Sequence, residues 1–230
     1  MKTFRTTKGP FSERPYYKDQ EIEQICIDAL NEVGLLPRQP EPIRIDRFIE
    51  KRFGVVPSYE DLPEGVLGLT RFGKGGVQEV VISNALDADS ARVTERRVRT
   101  TLAHEAGHCL LHTHLFALAS GSRGLFGDFS DPDKPKVLCR DESTPAYSGQ
   151  WWEFQANMAM GQLLMPRLLT ERALEPFLVS VGSIGGRTLN RTRTTEATTT
   201  LSKAFDVNPV VARIRIDSLY PASEEGQLSL

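Results

Sequence analysis

The segment His104-Glu105-Ala106-Gly107-His108 places two imidazoles four residues apart, with a carboxylate directly after the first. On a helix, positions 104 and 108 lie on one face a turn apart, so both rings can reach a single tetrahedral zinc ion. Glu105 is rotated to the side, where its carboxylate can meet the metal's water without binding the metal. That pattern points to hydrolysis by an activated water, with Glu105 as general base. All four histidines of the chain fall in this stretch, as His104, His108, His112 and His114. The plain alternative is a pair of helix-surface histidines beside a glutamate.

A catalytic zinc takes three protein ligands and keeps one position open. Four residues compete for the third place. His112 extends the same face by a turn, but a straight helix does not wrap three turns around one ion. His114 stands ten residues after His104, a spacing that needs a glycine to turn the chain, and Leu111 occupies that position. Cys139 is a thiolate candidate with no partner cysteine nearby. Glu153 fits best, because it opens a second helical segment and Asn157 follows one turn later. Asn157 would accept the outer N–H of a ligand histidine and fix its tautomer. The ordinary reading of Glu153 is a solvated acid at a helix N-terminus.

The elements that must position these groups follow from periodicity. A helix over 93–115 carries the motif, and helical pattern returns over 151–165 with Glu153. Between them, 119–150 is rich in Gly, Ser, Asp and Pro and reads as a long functional loop, a lid or a recognition surface. Tyr147 and Arg140 in that loop are candidates for a second oxyanion donor. Upstream, helices are expected at 19–33 and 45–53, the second stopped by Gly54. Strands are expected at 55–56, 66–72 and 77–83, with a glycine turn between the last two. The strand 77–83 either adds an extended substrate at its edge or is a plain core strand. Residues 1–18 read as an extended arm. Pro166 restarts a helix, and the end of the chain reads as helix, tight turn at 206–208, helix. The domain plan is therefore an arm (1–18), a main domain (19–180) and a helical, helix-turn-helix-like segment (181–230).

Composition bounds the function. The chain has 230 residues, a formal net charge of −2 and 40% hydrophobic residues, a globular mix with no global basic excess for nucleic acid. Three cysteines do not suggest a disulfide framework. The N-terminus lacks the apolar core of a signal peptide, and no run approaches the length of a membrane span. The expectation is a cytoplasmic protein with reduced thiols and no membrane partner. The cluster Arg92, Arg96, Arg97 and Arg99 reads as a solvated helix face. On the last helix, Val210, Val211, Ile214, Ile216 and Leu219 look like packing residues. That favours a helical hairpin that packs or docks a substrate over a DNA reader.

HEAGHCLLH (104–112) followed by EFQANMAMGQLLMP (153–166) resembles the ImmA/IrrE family of zinc metallopeptidases, whose pattern is HExGHxLLH, then ExxANxxAxxLLMP. In the second half Glu153, Ala156, Asn157, Leu163, Leu164, Met165 and Pro166 match, and Met160 occupies the place of the second alanine. The resemblance covers about 20–166 and is looser to about 220. It implies an α+β, zincin-like metallopeptidase domain with a small antiparallel sheet, the HExxH helix and a helical C-terminal extension. It also implies a regulatory protease that cleaves a partner repressor of the helix-turn-helix type, switching on mobile-element or stress genes. Carried over by position, His104, His108 and Glu153 are the zinc ligands and Glu105 the base. His112 matches the family's trailing histidine, read here as a structural hydrogen-bond partner. Trp151-Trp152 and Met158-Ala159-Met160 depart from the pattern.

A reading from a different class is a non-catalytic anti-repressor or DNA-associated regulator with a structural zinc site. An intact Glu105 favours the peptidase, since a structural site has no use for a base there.

Overall fold

The computed structural model describes residues 2–5, 13–73, 75–86, 91–119, 136–140, 151–181 and 186–221. The fold is α+β, with seven α-helices among those residues. The chain divides into two units, one of Met1–Leu36 with Ile43–Pro166, the other of Pro37–Pro42 with Arg167–Leu230. The seam thus falls at Pro166, ahead of the 180/181 boundary expected from the sequence. The segment after Pro166 is tied to the C-terminal part, for example by Asn190 N–H to the Phe177 carbonyl at 2.9 Å.

In the first unit, the expected N-terminal arm contains two short strands, β1 (Lys2–Arg5) and β2 (Glu13–Tyr16), paired antiparallel. Helix α1 (Asp19–Glu32) starts where the Lys18 N–H donates to Glu21 Oε2 at 2.8 Å. It buries Ile22, Cys26, Ala29 and Leu30, the i, i+4, i+7, i+8 stripe of an amphipathic helix. Helix α2 (Ile45–Phe53) stops at Gly54, whose φ of +71° is the left-handed turn glycine adopts most easily. Then come β3 (Ser58–Glu60), β4 (Val66–Gly73), β5 (Gly76–Ser83), α3 (Arg92–Ala119), β6 (Lys136–Arg140) and α4 (Trp151–Leu164).

The four strands β3 to β6 form one sheet in the order β3-β5-β4-β6. It is mixed rather than antiparallel, because β3 pairs parallel with β5. Two reversals of the chain, β3 into β4 and β4 into β5, bring β5 back in the direction of β3. The strand expected at 55–56 forms three residues later. At Val81 and Ile82, β5 has β3 on one side and β4 on the other, so a substrate strand has no place along that part. The expected loop 119–150 contains β6, which pairs antiparallel with β4. Tyr147 and most of that segment lie outside the described residues, as do the side chains of Cys139 and Arg140.

Helix α3 packs on β4, β5, α2 and α4, and α1 packs on α4. Phe48, Phe72, Ile82, Leu111 and Leu163 fill the space between these elements. Gly107 permits a close approach of α3 to α4, because a Cβ there would lie 2.8 Å from the Ala156 carbonyl oxygen and 3.1 Å from Ala159 Cβ.

The second unit holds α5 (Arg167–Leu174), the hairpin β7 (Leu178–Val181) with β8 (Gly186–Leu189), α6 (Thr194–Phe205) and α7 (Pro209–Leu219). Asp206, at φ 51°, closes α6, and Pro209 opens α7 in the first-turn position proline favours. The packing expected along α7 holds for Ile216, which is fully buried, but Val210 and Ile214 are 69% and 57% exposed. Arg215 is buried, and Arg213 is engaged by Asp217 at 2.9 Å. Among the described residues, no helix is long and apolar enough to cross a membrane.

Candidate metal centre

Helices α3 and α4 bring His104, His108 and Glu153 together. His104 Nε2 lies 3.0 Å from His108 Nε2 and 3.0 Å from Glu153 Oε2, and His108 Nε2 lies 3.5 Å from the same carboxylate oxygen. Both histidines are buried and Glu153 is partly buried. Three such atoms are held this close by a proton shared among them or by a cation. The three residues form a group that could hold a metal ion. His114, at the tempting tenth position, is exposed and lies outside that group.

Each ring is held from behind. His104 Nδ1 is 2.9 Å from Asn157 Oδ1, an amide oxygen that can only accept. His108 Nδ1 is 3.0 Å from His112 Nδ1, and His112 Nε2 is 3.1 Å from Gln155 Oε1. Asn157 and His112 therefore stand where the sequence suggested, each behind a different histidine. Gln155 was not singled out. Its signal is a polar residue in the i, i+4 row Trp151, Gln155, Ala159, otherwise apolar and fully buried.

Glu105 sits on the adjacent face of α3, fully buried. Its Oε2 accepts from Thr70 Oγ1 on β4 at 2.6 Å, while Oε1 has no hydrogen-bond partner. A buried carboxylate oxygen left in this way marks a place for a proton donor that the described residues do not supply. Gly68, two residues before Thr70, keeps space there. A Cβ on it would come within 3.2 Å of Glu105 Oε1 and 2.8 Å of Thr101 Cγ2. Thr70 is a second residue the sequence reading missed, a lone hydroxyl within the apolar run of β4.

The electrostatics separate the two carboxylates. Burial pushes the Glu105 carboxyl up to about 7, against the lowering effects of the His104 charge and the Thr70 hydrogen bond. Burial also acts to raise Glu153, but His108 and His104, by charge and hydrogen bond, hold it well below the usual carboxylate range. Burial lowers both His108 and His112, the second well below the usual imidazole value. Burial thus favours neutral His112, the form its place behind His108 needs. Cys109, buried beside Glu105, has its thiol pushed up by burial and stays protonated.

Trp151 and Trp152 anchor the start of α4. They pack with Phe72 and Leu115, which fixes the turn carrying Glu153 against the sheet and α3. Trp151 also stacks edge-on to His112, ring centroids 5.8 Å apart, and the Arg14 guanidinium lies over the indole ring at 5.8 Å. Compared with known proteins, the chain matches no family model and no curated sequence.

Proposed function

We propose that the chain is a zinc-dependent endopeptidase, of the regulatory kind that its resemblance to the ImmA/IrrE family implies, with a helix-turn-helix repressor as substrate. The observation that carries this reading is the buried, unpartnered Oε1 of Glu105 beside the converging donors of His104, His108 and Glu153. Two imidazoles and one carboxylate form a donor set typical of zinc peptidases, and three ligands leave a fourth position for reactants. Zinc, when bound, supplies Lewis acidity that acidifies a water and polarises a peptide carbonyl. Glu105 takes a proton at Oε1 and returns it to the leaving amine, while Thr70 holds Oε2 and so aims the free oxygen. Asn157 and His112 keep the outer nitrogens of the ligand rings engaged, leaving the inner ones for the metal.

The test is zinc content by mass spectrometry alongside a cleavage assay with a candidate helix-turn-helix repressor. Glu105→Gln keeps its zinc and loses at least about 100-fold in cleavage rate. A variant as active as the wild type overturns the mechanism. Glu153→Ala lowers zinc content, and unchanged stoichiometry removes Glu153 from the ligand set. A chain that binds zinc, releases the repressor from DNA and leaves it intact would establish the non-catalytic anti-repressor instead.

A further inference from the structure

We infer that Gln155 is a positioning residue of the metal centre, and that a backbone carbonyl of the N-terminal strand β2 is what aims it. The inference rests on the metal reading of the His104–His108–Glu153 group.

The chain of contacts begins at Pro15. Its carbonyl oxygen lies 2.8 Å from Gln155 Nε2, in a buried hydrogen bond that joins β2 to α4 across 140 residues of sequence. A carbonyl can only accept, so the amide nitrogen of Gln155 must face it. That choice removes the ambiguity of the amide, and Oε1 is left facing His112 Nε2 at 3.1 Å. An amide oxygen also only accepts, so His112 carries its proton on Nε2. In the neutral ring Nδ1 is then the bare nitrogen. It lies 3.0 Å from His108 Nδ1, which must donate. The lone pair of His108 is thereby left on Nε2, the atom that converges with His104 and Glu153.

Three hydrogen bonds thus have their sense set by one main-chain oxygen. His104 needs no such relay, because Asn157 accepts from it directly. His108 has a histidine behind it, a group able to donate or accept, and a histidine alone cannot choose. Gln155 makes the choice, and β2 makes it for Gln155. The N-terminal strand is on this reading a structural part of the metal centre.

Imidazole nitrogen NMR on the metal-free wild-type protein reads the tautomers directly. The expected pattern is Nε2–H for His112 and Nδ1–H for His108. Zinc affinity is then measured by competition with a chromophoric chelator, and the cobalt-substituted absorption spectrum reports ligand geometry. Gln155→Met removes the acceptor while keeping the bulk. It weakens zinc by about 10- to 100-fold and shifts the cobalt bands, with all three ligands intact. Gln155→Glu keeps an acceptor for His112 and loses the donor to Pro15, so it restores the His112 tautomer and recovers affinity relative to Gln155→Met. The relay is overturned if the wild type binds zinc but shows the opposite tautomers, or if Gln155→Met binds zinc as tightly as the wild type. A wild type that binds no zinc overturns the metal reading and this role with it. The wild-type spectrum decides the tautomers even if a variant does not fold.

Discussion

Thr70 Oγ1 donates to Glu105 Oε2 at 2.6 Å, from strand β4 to the helix that carries His104 and His108. It is the hydrogen bond the described residues give this carboxylate, and it leaves Oε1 open. Thr70→Val therefore should not disturb the metal ligands but should loosen the base. Zinc stoichiometry is expected to stay unchanged, with stability lower by about 1–3 kcal/mol in chemical denaturation. Cleavage of the repressor should fall as well. Loss of zinc in this variant would show that Thr70 supports the ligands rather than the base.

Glu105 also makes a pH signature. Its carboxyl ionises near 4.5 in an unfolded chain and near 7 in the folded, metal-free protein. Between those values the folded state holds a proton that the unfolded state has lost, so stability falls as pH rises and levels off above about 7. The gap is worth on the order of 3 kcal/mol. Glu105→Gln removes it. In denaturation of the metal-free proteins, wild type and variant should agree near about pH 4, and the variant should be the more stable near about pH 8. Parallel curves across that range would place Glu105 in a more solvated setting.

Asn157 accepts from His104 Nδ1 at 2.9 Å. Asn157→Leu leaves that nitrogen without an acceptor and should weaken zinc by about 10- to 100-fold, read by chelator competition. Asn157→Asp keeps an acceptor and should bind at least as tightly as Asn157→Leu. Equal affinity of all three proteins would assign the asparagine to packing alone.

At Gly107, α3 and α4 come too close to admit a Cβ without a shift. Gly107→Ala places a methyl group 2.8 Å from the Ala156 carbonyl oxygen, so one helix must move. The expected cost is about 1–3 kcal/mol, seen as a lower Tm. Because His104 and His108 are on one helix and Glu153 on the other, zinc affinity should drop with it. A destabilised variant with wild-type affinity would mean that the helices yield elsewhere.

The site was more legible than the sheet. His104, Glu105 and His108 announce themselves because helical spacing maps directly onto one face, and Glu153 with Asn157 repeats that logic one helix later. Thr70 and Gln155 escaped because each acts across the fold, from a strand or through another histidine, and no local period marks such a contact. Helices α1 and α2 follow their apolar stripes to within a residue. Strand β6 was hidden because Lys136–Arg140 shows no alternation, and it exists as a strand through its pairing with β4. The β7–β8 hairpin was hidden because each strand has only four residues, too few to show a period. On α7, Val210 and Ile214 look like core by residue type, yet both are exposed, and Ala212, Arg215 and Ile216 take the buried face.

Trp151 and Trp152 are the two tryptophans of the chain, neighbours at the first turn of α4 with ring centroids 5.5 Å apart. One of them touches His112, which touches His108. All of the indole emission of this protein therefore originates within two side chains of the metal group. Indole fluorescence on addition of zinc is therefore a label-free check of whether His104, His108 and Glu153 take up a metal.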